Sequence, residues 1–150
     1  VIAVSATGDL RQKSYYSNDG LNYIDIAAPG GDFRYQVNAA AGTGGQLSTV
    51  PSWYGYNVQD CSVTPCAYYA YFQGTSMAGP HVAGVAALTV SQNPGMAPNK
   101  VQQKLAQTAD PTPCPTSYLP GTPYAATCEG TKKNNSFYGA GQVNALNAVK

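Results

Sequence analysis

The stretch Gly74-Thr75-Ser76-Met77-Ala78-Gly79-Pro80-His81-Val82-Ala83-Gly84 decides how the rest of the chain is read. It places one serine between a tight glycine turn and the start of a long apolar run. From Ser76 to about Ser91 the chain is dominated by Ala, Val, Leu and Met and carries no charge. Apolar residues fall on nearly every face, so the pattern predicts a buried helix and not an amphipathic one. Pro80 comes early enough to cost few helical hydrogen bonds, and Asn93-Pro94-Gly95 ends the run. The first amides of a helix lack internal partners and sit at the positive end of its dipole. A nucleophilic hydroxyl there would find donors in place for the oxyanion it generates. The plainer alternative is a serine that only caps its own helix.

Outward from this run, residues 67 to 72 read as the strand that delivers the chain to Gly74. Val1 to Ala6 and Tyr23 to Ala28 read as buried strands, the second closed by Pro29-Gly30-Gly31. Thr7 to Tyr23 is polar and turn-rich, Ala39 to Gly45 small and flexible, and Gln46 to Val50 a short strand. Pro98 opens an amphipathic surface helix to about Thr108, with Val101, Leu105 and Ala109 inward and Lys100 and Lys104 outward. Pro111 to Lys133 is a long loop, Phe137 to Gly139 is short and extended, and Gln142 to Val149 is a terminal helix. Strands alternating with helices predict an α/β fold, a mostly parallel sheet flanked by helices. The 150 residues suit one domain with one core.

The run 74–84 resembles the nucleophile motif of the subtilisin-like serine peptidases, the subtilases: GTSMA, a small residue, then PHVAG. Gly79 departs from the Ala or Ser that is more frequent there, at a helix-propensity cost of about 1 kcal/mol. Val1-Ile2-Ala3-Val4-Ser5-Ala6, Tyr16-Ser17-Asn18-Asp19-Gly20, Asp25-Ile26-Ala27-Ala28-Pro29-Gly30-Gly31 and Tyr138-Gly139-Ala140-Gly141-Gln142-Val143-Asn144-Ala145 extend the likeness over about half of the chain. The resemblance implies Ser76 as the catalytic nucleophile of a secreted endopeptidase acting on polypeptide through an acyl-enzyme. It further implies Gly74 and Thr75 beside the oxyanion, and Phe72, Gln73 and Met77 along the substrate cleft. Met77 has simple core packing as its alternative; a thioether at the cleft would be open to peroxide.

A serine needs a base, and the base an orienting partner. The only histidine, His81, lies five positions past Ser76. That is about 140° around the helix and about 7.5 Å along it, so His81 is expected to be packed and hydrogen-bonded, not catalytic. In the subtilase order Asp and His precede Ser. Both partners, and the asparagine that gives the second oxyanion donor, are expected upstream of Val1. The chain is therefore read as the C-terminal half of a subtilisin-like domain: a truncated chain, a partial reading frame or a cleavage product, inactive alone. Asp9, Asp19 and Asp32 are read as turn residues. The missing N-terminal half is an expected partner.

Only 10% of residues are charged, the net charge is +1, and Lys132-Lys133 is the one adjacent basic pair. Nucleic acid is not an expected partner, and the longest apolar run is too short and interrupted to span a membrane. Four cysteines without CxxC spacing and with one histidine do not suggest zinc. They permit three connectivities. Short loops close most readily, which favours Cys61–Cys66 and Cys114–Cys128, an oxidising compartment and a secreted protein. No cofactor is expected. Asp25 and the Val1 backbone fall near a weak cation site of some subtilases, but Tyr23 stands where a second acid often does, so no metal is assigned to this chain; structural calcium stays open for the parent domain. Two other classes compete: a non-catalytic subtilase-fold scaffold or binding protein, and a carbohydrate-binding module with Trp53, Tyr54, Tyr56, Tyr68 and Tyr69 as a stacking platform. An α/β-hydrolase elbow, G-x-S-x-G, is broken by Ala78.

Overall fold

The computed structural model describes residues 1–35 and 44–150. Strand β1 (Val4–Thr7) pairs in parallel with β2 (Ile26–Pro29), Val4 opposite Ile26. Segment 141–143 extends this layer on the far edge of β2: the Ala27 amide donates to the Gly141 carbonyl at 2.9 Å and the Val143 amide to the Ala27 carbonyl at 2.8 Å. Strands β3 (Gln46–Val50), β4 (Val58–Asp60) and β5 (Ala67–Phe72) form a separate antiparallel sheet ordered β3-β5-β4. A two-residue hairpin, β6 (Gly130–Thr131) with β7 (Asn134–Asn135), turns through Lys132-Lys133. The helices are α1 (Thr75–Gln92), α2 (Pro98–Thr108) and the short α3 (Ala145–Ala148).

The α/β expectation holds, but the strands are mixed and not mostly parallel. Only β1 and β2 pair in parallel among the named strands described. The short loop 61–66 between β4 and β5 favours antiparallel neighbours, and β3 runs antiparallel along the other edge of β5. Strand β4 has no signal in the aromatic-rich stretch and forms only because β5 offers it an edge. Residues 137–139 are not extended either. The Asn135 side chain accepts from the amides of Phe137 and Tyr138 at 3.2 and 2.9 Å and bends them into a turn. The terminal helix shrinks to four residues behind Asn144, whose carboxamide oxygen accepts from the Asn147 amide. The expected flexible stretch 39–45 lies outside the described residues except for Gly44 and Gly45.

Alternation along β2 splits the interior into two buried clusters, not one. Ile26 and Ala28, with Ala6, face Ala78, Val82 and Val85 of α1, Val101 and Leu105 of α2, and Ala148. Ala27 faces the other way, onto Tyr118, Phe137 and Tyr138. Lys13 is buried beside that second cluster, its Nζ 3.2 Å from Asp19 and 5.0 and 5.2 Å from the Tyr118 and Phe137 rings. Burial holds the Lys13 ammonium below its ordinary range, with Asp19 acting against that shift. Asp19 is thus an ion-pair partner and not only a turn residue.

Helix α1 is where expectation and structure part most clearly. Ala78, Val82, Val85 and Thr89 are buried, one stripe at helical spacing. The other side, with His81, Ala83, Gly84, Ala87, Leu88 and Val90, is exposed, and Leu88 keeps 51% of its surface in solvent. The helix is apolar all round, as its sequence dictates, yet only one face is covered by the described residues. No helix of the described residues is long and apolar enough to cross a membrane. Leu105, 1% exposed, couples α2 to the main cluster. Leu105→Ala is expected to cost about 2–5 kcal/mol in denaturant unfolding.

Candidate active site

Strand β5 ends at Phe72, and two residues later Gly74 begins the turn into α1. That turn is seated on the end of β2: the Gly74 amide donates to the Gly30 carbonyl at 2.8 Å. Gly30 must be glycine here, since a Cβ would stand 2.5 Å from the Ala6 Cβ and 2.7 Å from the Gly74 carbonyl oxygen. The Tyr16 hydroxyl lies against the same crossing, 2.8 Å from the Gly30 and 2.6 Å from the Gly31 carbonyl oxygen. Its one proton is shared between them. Burial pushes the Tyr16 phenol above its ordinary value, so it stays protonated and able to donate.

Gly74 occupies the position before the helix and no side chain caps it. Ser76 is therefore the second helical residue, not the cap, and the plainer alternative for this serine falls. Its side chain is exposed and its hydroxyl makes no hydrogen bond among the described residues. The helix bonds begin at Met77 and Ala78, whose amides reach the Gly74 carbonyl at 3.0 and 3.3 Å. The amides of Thr75 and Ser76 are left without partners among the described residues, as the helix geometry requires. They are donors at the positive end of the dipole, next to the Ser76 oxygen. Thr75 is exposed beside them. Met77 is half-buried with its sulfur over Gly74, 3.4 Å from where a Cβ would stand.

His81 is exposed, not packed, and its Nδ1 lies 2.8 Å from the Met77 carbonyl oxygen one turn back. A carbonyl only accepts, so Nδ1 carries the proton there. The described residues thus bring together a free hydroxyl and free amides, and no base beside them.

The side chains that brace the turn come from distant segments that sequence spacing could not join. Gln73 is clamped at both ends: its Oε1 accepts from the Phe33 amide at 2.9 Å and its Nε2 donates to the Tyr15 hydroxyl at 3.0 Å. The Tyr15 ring carries the Arg34 guanidinium 4.4 Å from its centre and meets Tyr124 edge-on at 4.9 Å. Tyr124 belongs to the loop closed by Cys114–Cys128; the other bonded pair is Cys61–Cys66. Arg34 makes paired bonds to buried Asp32, 3.0 Å from Nε to Oδ1 and 2.7 Å from Nη2 to Oδ2. Burial works to raise the Asp32 carboxyl, but the Arg34 contacts prevail and hold it below 3.8. Burial pushes the Tyr118 phenol up to about 12. In the sequence Asp32 reads as a turn residue, Gln73 as a cleft residue and Cys114–Cys128 as a pair, while Tyr15, Phe33, Arg34 and Tyr124 carry no signal of their own. Among the described residues no cluster of three metal-ligating side chains occurs. Asp25 instead accepts from the Ala3 amide at 2.7 Å and from Gln102 at 3.4 Å.

Comparison with known proteins gives the family of the chain. Residues 1–141 match the Subtilase family. The chain is 38% identical over 114 residues to the extracellular protease of Xanthomonas campestris pv. campestris, a match covering 75% of this chain and 16% of that protein. It is 38% identical over 149 residues to the M-protease of Shouchella clausii, covering 99% of this chain and 27% of that one. A solved protease of Pseudoalteromonas arctica superposes with a TM-score of 0.65 at 37% identity, over 99% of this chain and 35% of the other. The chain belongs to the subtilase family, and it spans well under half the length of these relatives.

The Asp32–Arg34 pair gives a pH prediction. The folded pKa of Asp32 lies below its unfolded value, so the unfolded chain takes up the proton first. The pair's contribution is complete above about pH 4 and is lost as the pH falls through the folded value. Asp32→Asn is expected to cost about 2 kcal/mol at pH 7 and to flatten this acid limb, read from unfolding midpoints between pH 2 and 7.

Proposed function

We propose that Ser76 is the nucleophile of a secreted serine endopeptidase and that this chain is the C-terminal part of its catalytic domain. The observation that carries the reading is an exposed serine at the second position of α1, uncapped and beside two free amides, in a chain of the subtilase family. Ser76 attacks the peptide carbonyl; the amides at the helix start meet the developing oxyanion; the amine leaves; water then hydrolyses the acyl-enzyme. The base, its orienting carboxylate and the oxyanion asparagine come from a preceding segment of the same protein. Phe72, Gln73 and Met77 border the cleft, with Gly74 and Thr75 at the oxyanion. Secretion is supported by the two disulfide pairs and by an extracellular relative.

The uncovered apolar face of α1 supports the partial-domain reading. Ala83, Gly84, Ala87 and Leu88 would be an unusual solvent face for a helix, and the preceding segment would cover it. Beyond the neighbouring backbone of α1 itself, Gly79 and Gly84 have no described atom within 4 Å of a built Cβ, which leaves room for close packing there.

In the full-length protein, Ser76→Ala is expected to lower hydrolysis of an unfolded protein substrate at least about a thousandfold while leaving the melting temperature in place. A folded wild type without hydrolysis would favour the scaffold alternative. Leu88→Asp is expected to destabilise the full-length protein by about 2 kcal/mol or more, because it buries a charge. An unchanged melting temperature would mean that this face stays in water.

A further inference from the structure

The β3-β5-β4 sheet carries a feature the catalytic reading does not use. Register puts Phe72, Ala70 and Tyr68 of β5 on one face with Gln46, Ser48 and Val50 of β3 and Gln59 of β4. The loop 51–57 folds over that face. Tyr56 meets Tyr68 with ring centres 4.9 Å apart, Tyr54 meets Phe72 at 5.9 Å, and Trp53 meets Tyr54 at 6.5 Å. The loop is pinned at its far end, where the Asn57 amide donates to the Tyr69 carbonyl at 2.8 Å and the Asn57 side chain accepts from the Tyr71 amide at 3.0 Å. Trp53 nevertheless keeps 82% of its surface in water, and Tyr54 and Tyr56 are exposed as well.

These rings do not stand alone. The series Trp53, Tyr54, Phe72 runs toward the nucleophile turn, and Phe72 is four residues from Ser76, at most about 14 Å of extended chain. Asp60 is the only charged residue between Gly44 and Phe72. The surface therefore offers no charge to steer by, only fixed aromatic area at low ordering cost. Tyr69 lies on the opposite face, with Leu47, Thr49 and Val58. The remaining rings are tilted to one another by 42° to 67°. A sugar chain stacks best on rings that share a plane; tilted, stepped rings suit separate side chains of an extended peptide.

We infer that Trp53 and Tyr54, continuing from Phe72, form an exosite for apolar or aromatic side chains of a polypeptide substrate, several residues from the scissile bond. This rests on the peptidase reading of Ser76. It makes the preferred substrate class unfolded or extended chains rich in aromatic residues.

The test uses the full-length protein and internally quenched peptides alike around the scissile bond. Each carries a Tyr-Phe pair or a Gly-Ser pair three to six residues away, on one flank or the other. The wild type is expected to favour the aromatic pair on one flank by about tenfold in kcat/KM, through KM. Trp53→Ser, at a largely exposed position, is expected to bring that ratio below about twofold; because a ratio is read, any general loss cancels. No preference on either flank, or the same ratio in wild type and variant, overturns the inference. If the wild type cleaves no peptide, the reading of Ser76 fails, and binding still decides the exosite. In a Ser76→Ala background the aromatic peptide is expected to change a fluorescence signal that Trp53→Phe removes. A Trp53-dependent response to a chitin or cellulose hexasaccharide, and none to the peptide, would overturn it in favour of carbohydrate.

Discussion

One backbone hydrogen bond, from the Gly74 amide to the Gly30 carbonyl, holds the candidate site in place. It ties the start of α1 to the end of β2 and is possible only because Gly30 has no side chain to strike Ala6 or the Gly74 carbonyl. Tyr16 braces the same carbonyl, and Gln73, one residue before the turn, is fixed at both ends of its amide. The turn therefore has little freedom, and the amides of Thr75 and Ser76 face out in a fixed direction. Preorganised donors of this kind cost no rearrangement at the moment charge develops.

The same bond joins the two sheets. The parallel β1-β2 layer gives the rigid floor, with both faces packed. The antiparallel sheet hangs from it through β5 and shares little of its core. The candidate site thus rests on the layer that is buried, and the aromatic surface belongs to the layer that is not. The Cys114–Cys128 loop touches the bracing residues through Tyr124 against Tyr15.

Features with local causes were legible in the sequence. The bounds of β5 and α2 follow from glycine, proline and periodicity, and the serine motif is contiguous. The uncovered face of α1 was not legible, because composition tells that a helix is apolar but not what lies against it. The Gln73 clamp onto Phe33 and Tyr15, and the burial of Lys13 against Tyr118 and Phe137, join segments whose meeting depends on the tertiary fold; the Asp32–Arg34 pair spans only two residues, but the burial of Asp32 that gives it weight is tertiary. The turn at Phe137 was missed for a smaller reason: Asn135 supplies a side-chain acceptor that outweighs the extended preference of the aromatic pair.

Activation of the Ser76 hydroxyl in the assembled protein separates a peptidase from a scaffold that merely keeps the fold. The most direct measurement is intact and peptide-level mass after exposing the folded full-length protein to a fluorophosphonate, which reacts only with a serine served by a working base. One adduct is expected, on the peptide containing Ser76, and none after denaturation. An unmodified Ser76 in the folded full-length protein would contradict the peptidase reading.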